Sequence, residues 1–259
     1  MYTTNRALFD RWIVDAREDR LDDSGIAELA ETLASSGQRL DRRPASADMA
    51  STAGPGSIST LWAPAAIAAH GSTVAKLGVP GRPAGGVDVL MQVDGYRTEF
   101  DVAQAEAVIE LCGYVHLLAG GQFAPADAEL FAYRQEVDAQ HVPALAIASL
   151  LSKKLVTGTS IAGLEVRVAP HGNPGVDREE ATRNARRFCN VARLLGITGV
   201  CFLTDATAPQ QPYLGRGEAL VALSHLLAGT ECEWLAHRHA ADRVLAGRQA
   251  AGGKDDSAL

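Results

Sequence analysis

Ser149 and Lys153 stand four residues apart in VPALAIASLLSKKLVTG, a stretch with helical periodicity, so a hydroxyl and an ammonium share one helix face. Arg134, near the end of the preceding helical run PADAELFAYRQEV, adds a planar guanidinium fork. A fork and an ammonium together can donate to both carbonyls of a flat ring whose edge reads acceptor–donor–acceptor. The same cations would stabilise negative charge building on such a ring as it departs. Spacing alone leaves a plainer reading open: Arg134 pairs with Glu136 or Asp138 at the surface, and Lys153 is a solvated helix residue.

A second cluster lies in the glycine-rich stretch STAGPGSIST. Here Ser51, Thr52, Ser57, Ser59 and Thr60 surround Gly54 and Gly56, just ahead of an Ala-rich helical run. Backbone amides opening a helix can hold an anion without a lysine, although many such loops are only tight connections. The histidines offer less. His237 and His239 are two apart and fall on different helix faces, which argues against a metal pair. His116 sits in an apolar strand and reads as a satisfied core residue, whereas His171 lies in the loop APHGNPG and could face a site mouth. Asp205 ends the strand VCFLTD, where parallel sheets present ligand groups, or it caps the turn that follows. No nucleophile elbow, phosphate-binding Walker loop or nicotinamide fingerprint occurs, and no metal or cofactor is expected.

The elements that must position these groups alternate. Helical periodicity covers residues about 4–18 and 23–36. Beyond residue 47, strand candidates (VAKLGV, GYVHLL, LEVRVA, VCFLTDA) are separated by helical runs, ending in GEALVALSHLLAG and a further helix over about 231–248. That order predicts an α/β fold with a mostly parallel sheet covered by helices, and a small all-helical N-terminal subdomain. The expected divisions are 1–46, 47–248 and a disordered tail over 249–259. Trp62 and Trp234 read as packing or interface residues.

Of the 259 residues 47% are apolar and 21% charged, the balance of a folded domain with a proper core. A net charge of −7 argues against a nucleic-acid surface, which needs a basic stripe. Four scattered cysteines with no C-x-x-C fit a reducing compartment, Cys112 and Cys201 being read as buried hydrophobes. With no signal-like or membrane-length apolar run, a cytoplasmic location is expected.

Four segments in order, GQFAPADAELFAYRQEV, VPALAIASLLSKKLVTG, GVCFLTDATAPQQPYLGRG and GEALVALSHLL, resemble the thymidine/pyrimidine-nucleoside phosphorylases from Gly121 to Leu227, with a weaker match back to Asp48. The resemblance implies a pyrimidine held by Arg134, Ser149 and Lys153, with Phe131 in place of the family's Tyr. It implies a glycosyl-transfer chemistry with Arg134 and Lys153 as the catalytic cations, and a homodimer formed through residues 4–36. The phosphate side departs from the pattern. Where the family reads Asp-Lys-His-Ser-Thr-Gly-Gly, this chain has Asp48-Met49-Ala50-Ser51-Thr52-Ala53-Gly54. A second family loop with hydroxyls reads Leu77-Gly78-Val79-Pro80 and Ala84-Gly85-Gly86-Val87 here, and the family's closing loop is replaced by APHGNPG. The expected ligands are therefore a pyrimidine or nucleoside and an anion or altered acceptor near Ser51, Thr52, Gly54, Gly56, Ser57 and Thr60, with Arg82 or Lys76 able to replace the lost lysine. The alternative is a non-catalytic member that binds a pyrimidine or another protein.

Overall fold

The computed structural model describes residues 6–51, 58–82, 85–170, 175–209 and 212–229. Thr52, Gly54, Gly56, Ser57, His171, Cys232, Trp234, His237, His239 and the helix expected over 231–248 lie outside the described residues.

Two short helices, α1 (Arg6–Arg17) and α2 (Asp23–Ala34), precede the first strand, β1 (Ala47–Ser51). Then follow α3 (Ser59–Ala69), β2 (Val74–Gly78), α4 (Gly86–Leu90), α5 (Val102–Cys112) and β3 (Tyr114–Leu118). The chain continues through α6 (Pro125–Glu136), α7 (Pro143–Val156), β4 (Ile161–Val168), α8 (Arg178–Leu194), β5 (Thr198–Asp205) and α9 (Arg216–Leu227). The fold is α/β, and every named strand pair is parallel. The strands form two sheets, β1-β4-β5 and β2-β3, joined at their start by a parallel bridge between Ser46 and Thr73.

β1 is the strand that local pattern does not announce. Its ADMAS has poor strand formers, yet β4 supplies a continuous parallel ladder from Ala47↔Ile161 to Ser51↔Glu165. The place expected to be loop is therefore strand as far as Ser51.

The principal core joins Phe9 and Ile13 of α1 and Ile26 and Leu33 of α2 to Leu145 of α7 and Phe188 of α8. The inner face of β4, through Leu164 and Val166, closes it from below. The N-terminal helices thus share one core with the helices of the sheet. α7 lies at its centre, buried on almost every side. Both α6 and α7 open with proline in the first turn, where the missing N–H is tolerated, so both site-bearing helices have set starting points. Cys112 corrects one expectation: it ends α5 facing outward and is exposed. Cys201 is half-buried with its Sγ 3.6 Å from that of Cys189.

Candidate functional site

Lys153 and Lys154 are chain neighbours about 100° apart around α7, and each reaches a different buried acid. Lys153 Nζ donates to Asp127 Oδ2 of α6, to the Ser149 carbonyl at 2.9 Å and to Ser149 Oγ at 2.8 Å. Lys154 Nζ donates to Asp48 Oδ2 of β1. Asp48 also accepts, at Oδ1, from Lys76 Nζ at 2.9 Å, and Lys76 donates a second bond to the Met49 carbonyl at 2.6 Å. Burial favours the neutral acid, but Lys154 and Lys76 outweigh it and hold the Asp48 carboxyl below the usual carboxylate range. Burial pulls the Lys76 and Lys153 ammoniums down, opposed by Asp48 and Asp127 respectively.

Arg134 is 2% exposed. Its Nε donates to the Ala139 carbonyl (3.1 Å), Nη1 to Leu145 (3.3 Å) and Nη2 to Gln140 (2.6 Å), so it pins the α6–α7 connection to both helices. Burial lowers its pKa to about 10, which leaves it charged at neutral pH. The plainer reading is corrected for both cations: neither is at the surface, because each has buried acceptors provided by a neighbouring helix or turn. Three of the five guanidinium N–H groups are engaged, leaving one on each Nη. Lys153, with three acceptors, has no donor to give up without breaking a bond. Ser149 Oγ accepts from Lys153, and no acceptor for its own hydrogen lies among the described residues.

Phe131, Arg134, Ser149, Lys153, Ser51 and Thr60 line one cavity of about 160 Å³. Of the residues expected on the anion side only Ser51 and Thr60 are described, and they line the same cavity as the four from α6 and α7. Lys76, Arg82, His116 and Lys154 line it too. The Arg82 guanidinium lies over the Phe131 ring at 5.2 Å. His116 is buried and its Nδ1 is 3.2 Å from the Tyr114 hydroxyl, so it is a satisfied core residue as expected and also a cavity wall. Burial first, then Lys76, lowers its pKa to about 3 and keeps it neutral. The Asp205 carboxylate caps the next turn, accepting from Thr207 N (2.9 Å) and Oγ1 (2.7 Å).

This chain is 30% identical over 219 residues to thymidine phosphorylase of Agrobacterium fabrum, covering 82% of the chain and 50% of that protein. Identity to human thymidine phosphorylase is 31% over 209 residues (77% and 42%). To pyrimidine-nucleoside phosphorylase of Staphylococcus aureus it is 27% over 207 residues (77% and 47%). The chain belongs to the thymidine/pyrimidine-nucleoside phosphorylase family. It spans about half the length of the curated relatives it matches. No protein-family model matches it.

Family membership makes the departures at the first loop legible. Met49 and Ala50 replace the family's Lys and His on β1, with Met49 fully buried in a cluster that includes Ala63 and Ile67 of α3. A lysine still reaches this spot: Lys76, from the next strand, binds the Met49 carbonyl. Reading along the chain undervalued Lys76, His116, Asp48 and Asp127. The signal available was a charged or polar residue interrupting an otherwise apolar strand, as in VAKLGV and GYVHLL.

Proposed function

We propose that the cavity is a pentosyltransferase site of the thymidine phosphorylase kind, taking a pyrimidine or similar flat ring, with an altered phosphate or acceptor side. The observation that carries this reading is that Phe131, Arg134, Ser149 and Lys153 share one cavity small enough for a single ring. Ser149, polarised by Lys153, donates to one ring carbonyl, and the two remaining Arg134 N–H groups serve another. Displacement at the anomeric carbon passes through an oxocarbenium-like state. Arg134 and the Lys153–Ser149 pair stabilise charge on the departing ring, and the sugar lies toward Ser51 and Thr60. The protein acts in the cytoplasm as a homodimer.

A second reading has a specific observation behind it. Lys153 has all its donors engaged, and β1 lacks the family's Lys and His, which favours a member that binds a pyrimidine without turning it over.

Calorimetric titration of uracil, thymine and their nucleosides, with and without phosphate, decides between these. Wild type binding that falls at least tenfold in Arg134→Ala and Ser149→Ala supports the pyrimidine site. Phosphate-dependent release of free base then marks an enzyme, and binding without release marks the second reading. No heat with any pyrimidine removes both.

A further inference from the structure

Two thiols meet where α8 packs on β5: Cys189 and Cys201 have their Sγ atoms 3.6 Å apart. The chain between them reverses at Gly196, with φ of +70°. Gly199 lets the helix and strand backbones approach, since a Cβ there would stand 2.8 Å from Cys189 Cα and 3.3 Å from its Sγ. Cys201 follows two residues later on the same face of β5, and its Sγ is 3.5 Å from the Ala185 carbonyl oxygen. Both cysteines are half-buried, and β5 is the edge strand of its sheet, so the sulfurs are not sealed from solvent. Neither is among the residues that line the cavity.

The two thiols are not equivalent. The thiolate is the reactive form of cysteine, and a neighbouring S–H that donates to it favours that form. The hydrogen bond with Cys201 lowers the pKa of Cys189 against the opposing effect of burial. The same hydrogen bond, then burial, holds the Cys201 thiol well above its usual range. Cys189 is therefore the nucleophile of the pair, and Cys201 the thiol that keeps its proton beside it. Cys112 makes the contrast: it is exposed, its Sγ donates to the Val108 and Tyr114 carbonyls, and no second thiol among the described residues lies beside it.

We infer that Cys189 and Cys201 form a redox modification site, which a hydroperoxide closes to an intramolecular disulfide between α8 and β5. The Cys189 thiolate attacks one peroxide oxygen, the O–O bond breaks, and the departing hydroxide takes a proton to leave as water. Cys189 is then a sulfenic acid. Cys201 sulfur attacks the Cys189 sulfur, the S–O bond breaks, and the Cys201 proton leaves with that hydroxyl as a second water. Two thiols have lost two electrons and two protons, and one peroxide has become two waters. The sulfurs need to close by about 1.5 Å to reach bonding distance, a shift that side-chain rotation in a half-buried pair can supply. A dithiol reductant returns the pair to its resting state. The bond would tie an outer helix to an edge strand away from the cavity, so this inference stands apart from the pyrimidine reading.

The test treats the reduced full chain with hydrogen peroxide, alkylates the remaining thiols and maps tryptic peptides by mass. Arg193 lies between the two cysteines, so their bond joins peptide Phe188–Arg193 to peptide Leu194–Arg216, while Cys112 and Cys232 fall in other peptides. Wild type is expected to give that cross-link, with Cys189 consumed at least tenfold faster than Cys112, and dithiothreitol should reverse it. The Cys112→Ser/Cys232→Ser double variant should give the same cross-link, and its urea midpoint should be higher oxidised than reduced. In Cys201→Ser, dimedone should trap Cys189 as the sulfenic acid. Free thiols at 189 and 201 after Cys112 has been oxidised overturn the inference, as does a bond from either to Cys112 or Cys232. A lower urea midpoint on oxidation also overturns it, because the bond would then oppose the native packing of α8 on β5. The wild-type map carries the decision even if a variant fails to fold.

Discussion

Lys154, Lys76 and His116 are held around one carboxylate, and burial, then the neighbouring charges, lowers the pKa of Lys76 and of His116. Asp48 sits on β1 with Lys76 on β2, Lys154 on α7 and His116 with Tyr114 on β3 around it. Removing the carboxylate would leave two buried ammoniums unpaired, a loss on the order of 3–5 kcal/mol. His116 carries a testable consequence. Its folded pKa of about 3 lies below the ordinary value of 6.5, so between these pH values the unfolded chain binds the extra proton. Stability therefore rises with pH through that window and falls as pH drops from 6.5 toward 3. Between pH 7 and pH 5 this one group should cost the wild type about 2 kcal/mol that His116→Gln does not lose. Urea unfolding of both proteins at the two pH values measures it. Parallel losses in the two would show that His116 is not held neutral.

At the scale of elements, α7 decides the site. It is buried on nearly all sides, yet it carries two lysines and two serines, and it tolerates them because α6 and β1 each bring an acid. The turn from α7 into β4 fixes where these lysines stand relative to the sheet. Gly158 makes that turn with φ of +63°, and a Cβ there would lie 2.3 Å from the Asp41 carbonyl oxygen. Gly158→Ala is expected to destabilise by at least about 1–3 kcal/mol, through left-handed strain and the backbone clash together. The urea midpoint should fall with an unchanged slope. A midpoint equal to wild type would mean that the α7–β4 turn relaxes without disturbing the site.

The whole molecule pairs an acidic exterior with a cationic cavity. A net charge of −7 coexists with six cations (Lys76, Arg82, Arg134, Lys153, Lys154 and Arg216) against three carboxylates (Asp48, Asp88 and Asp127) around the cavity among the described residues. The N-terminal helices share their inner faces with α6, α7 and α8, which leaves only their outer faces for contact with another copy. A homodimer through residues 4–36 predicts twice the chain mass in light scattering at micromolar concentration. Half-exposed Val14, on the outer face of α1, is the position where Val14→Glu should shift the population toward monomer. A monomeric wild type would remove the dimer.

The order of helices and strands from α5 to α9 was open to reading along the chain, because hydrophobic period and caps are local properties: Asp101 with Gln104 opens α5, and Asp177 opens α8. The family and the cavity-lining residues Phe131, Arg134, Ser149 and Lys153 were open too, since four ordered motifs carry them. β1 was not, since Asp48 and two alanines make a strand only where β4 completes the ladder and two lysines neutralise the acid. Nor could spacing reveal that Arg134 binds backbone carbonyls, or that Lys153 and Lys154 divide between two acids. The Lys76–His116 pair depends on the parallel register of β2 and β3, and the Lys154–Asp48 pair joins residues 106 positions apart. Helices and motifs were therefore determined by the sequence alone, through interactions within a few residues. The charge balance of the cavity was decided by tertiary structure, because each ion pair there needs an acid and a base from different elements.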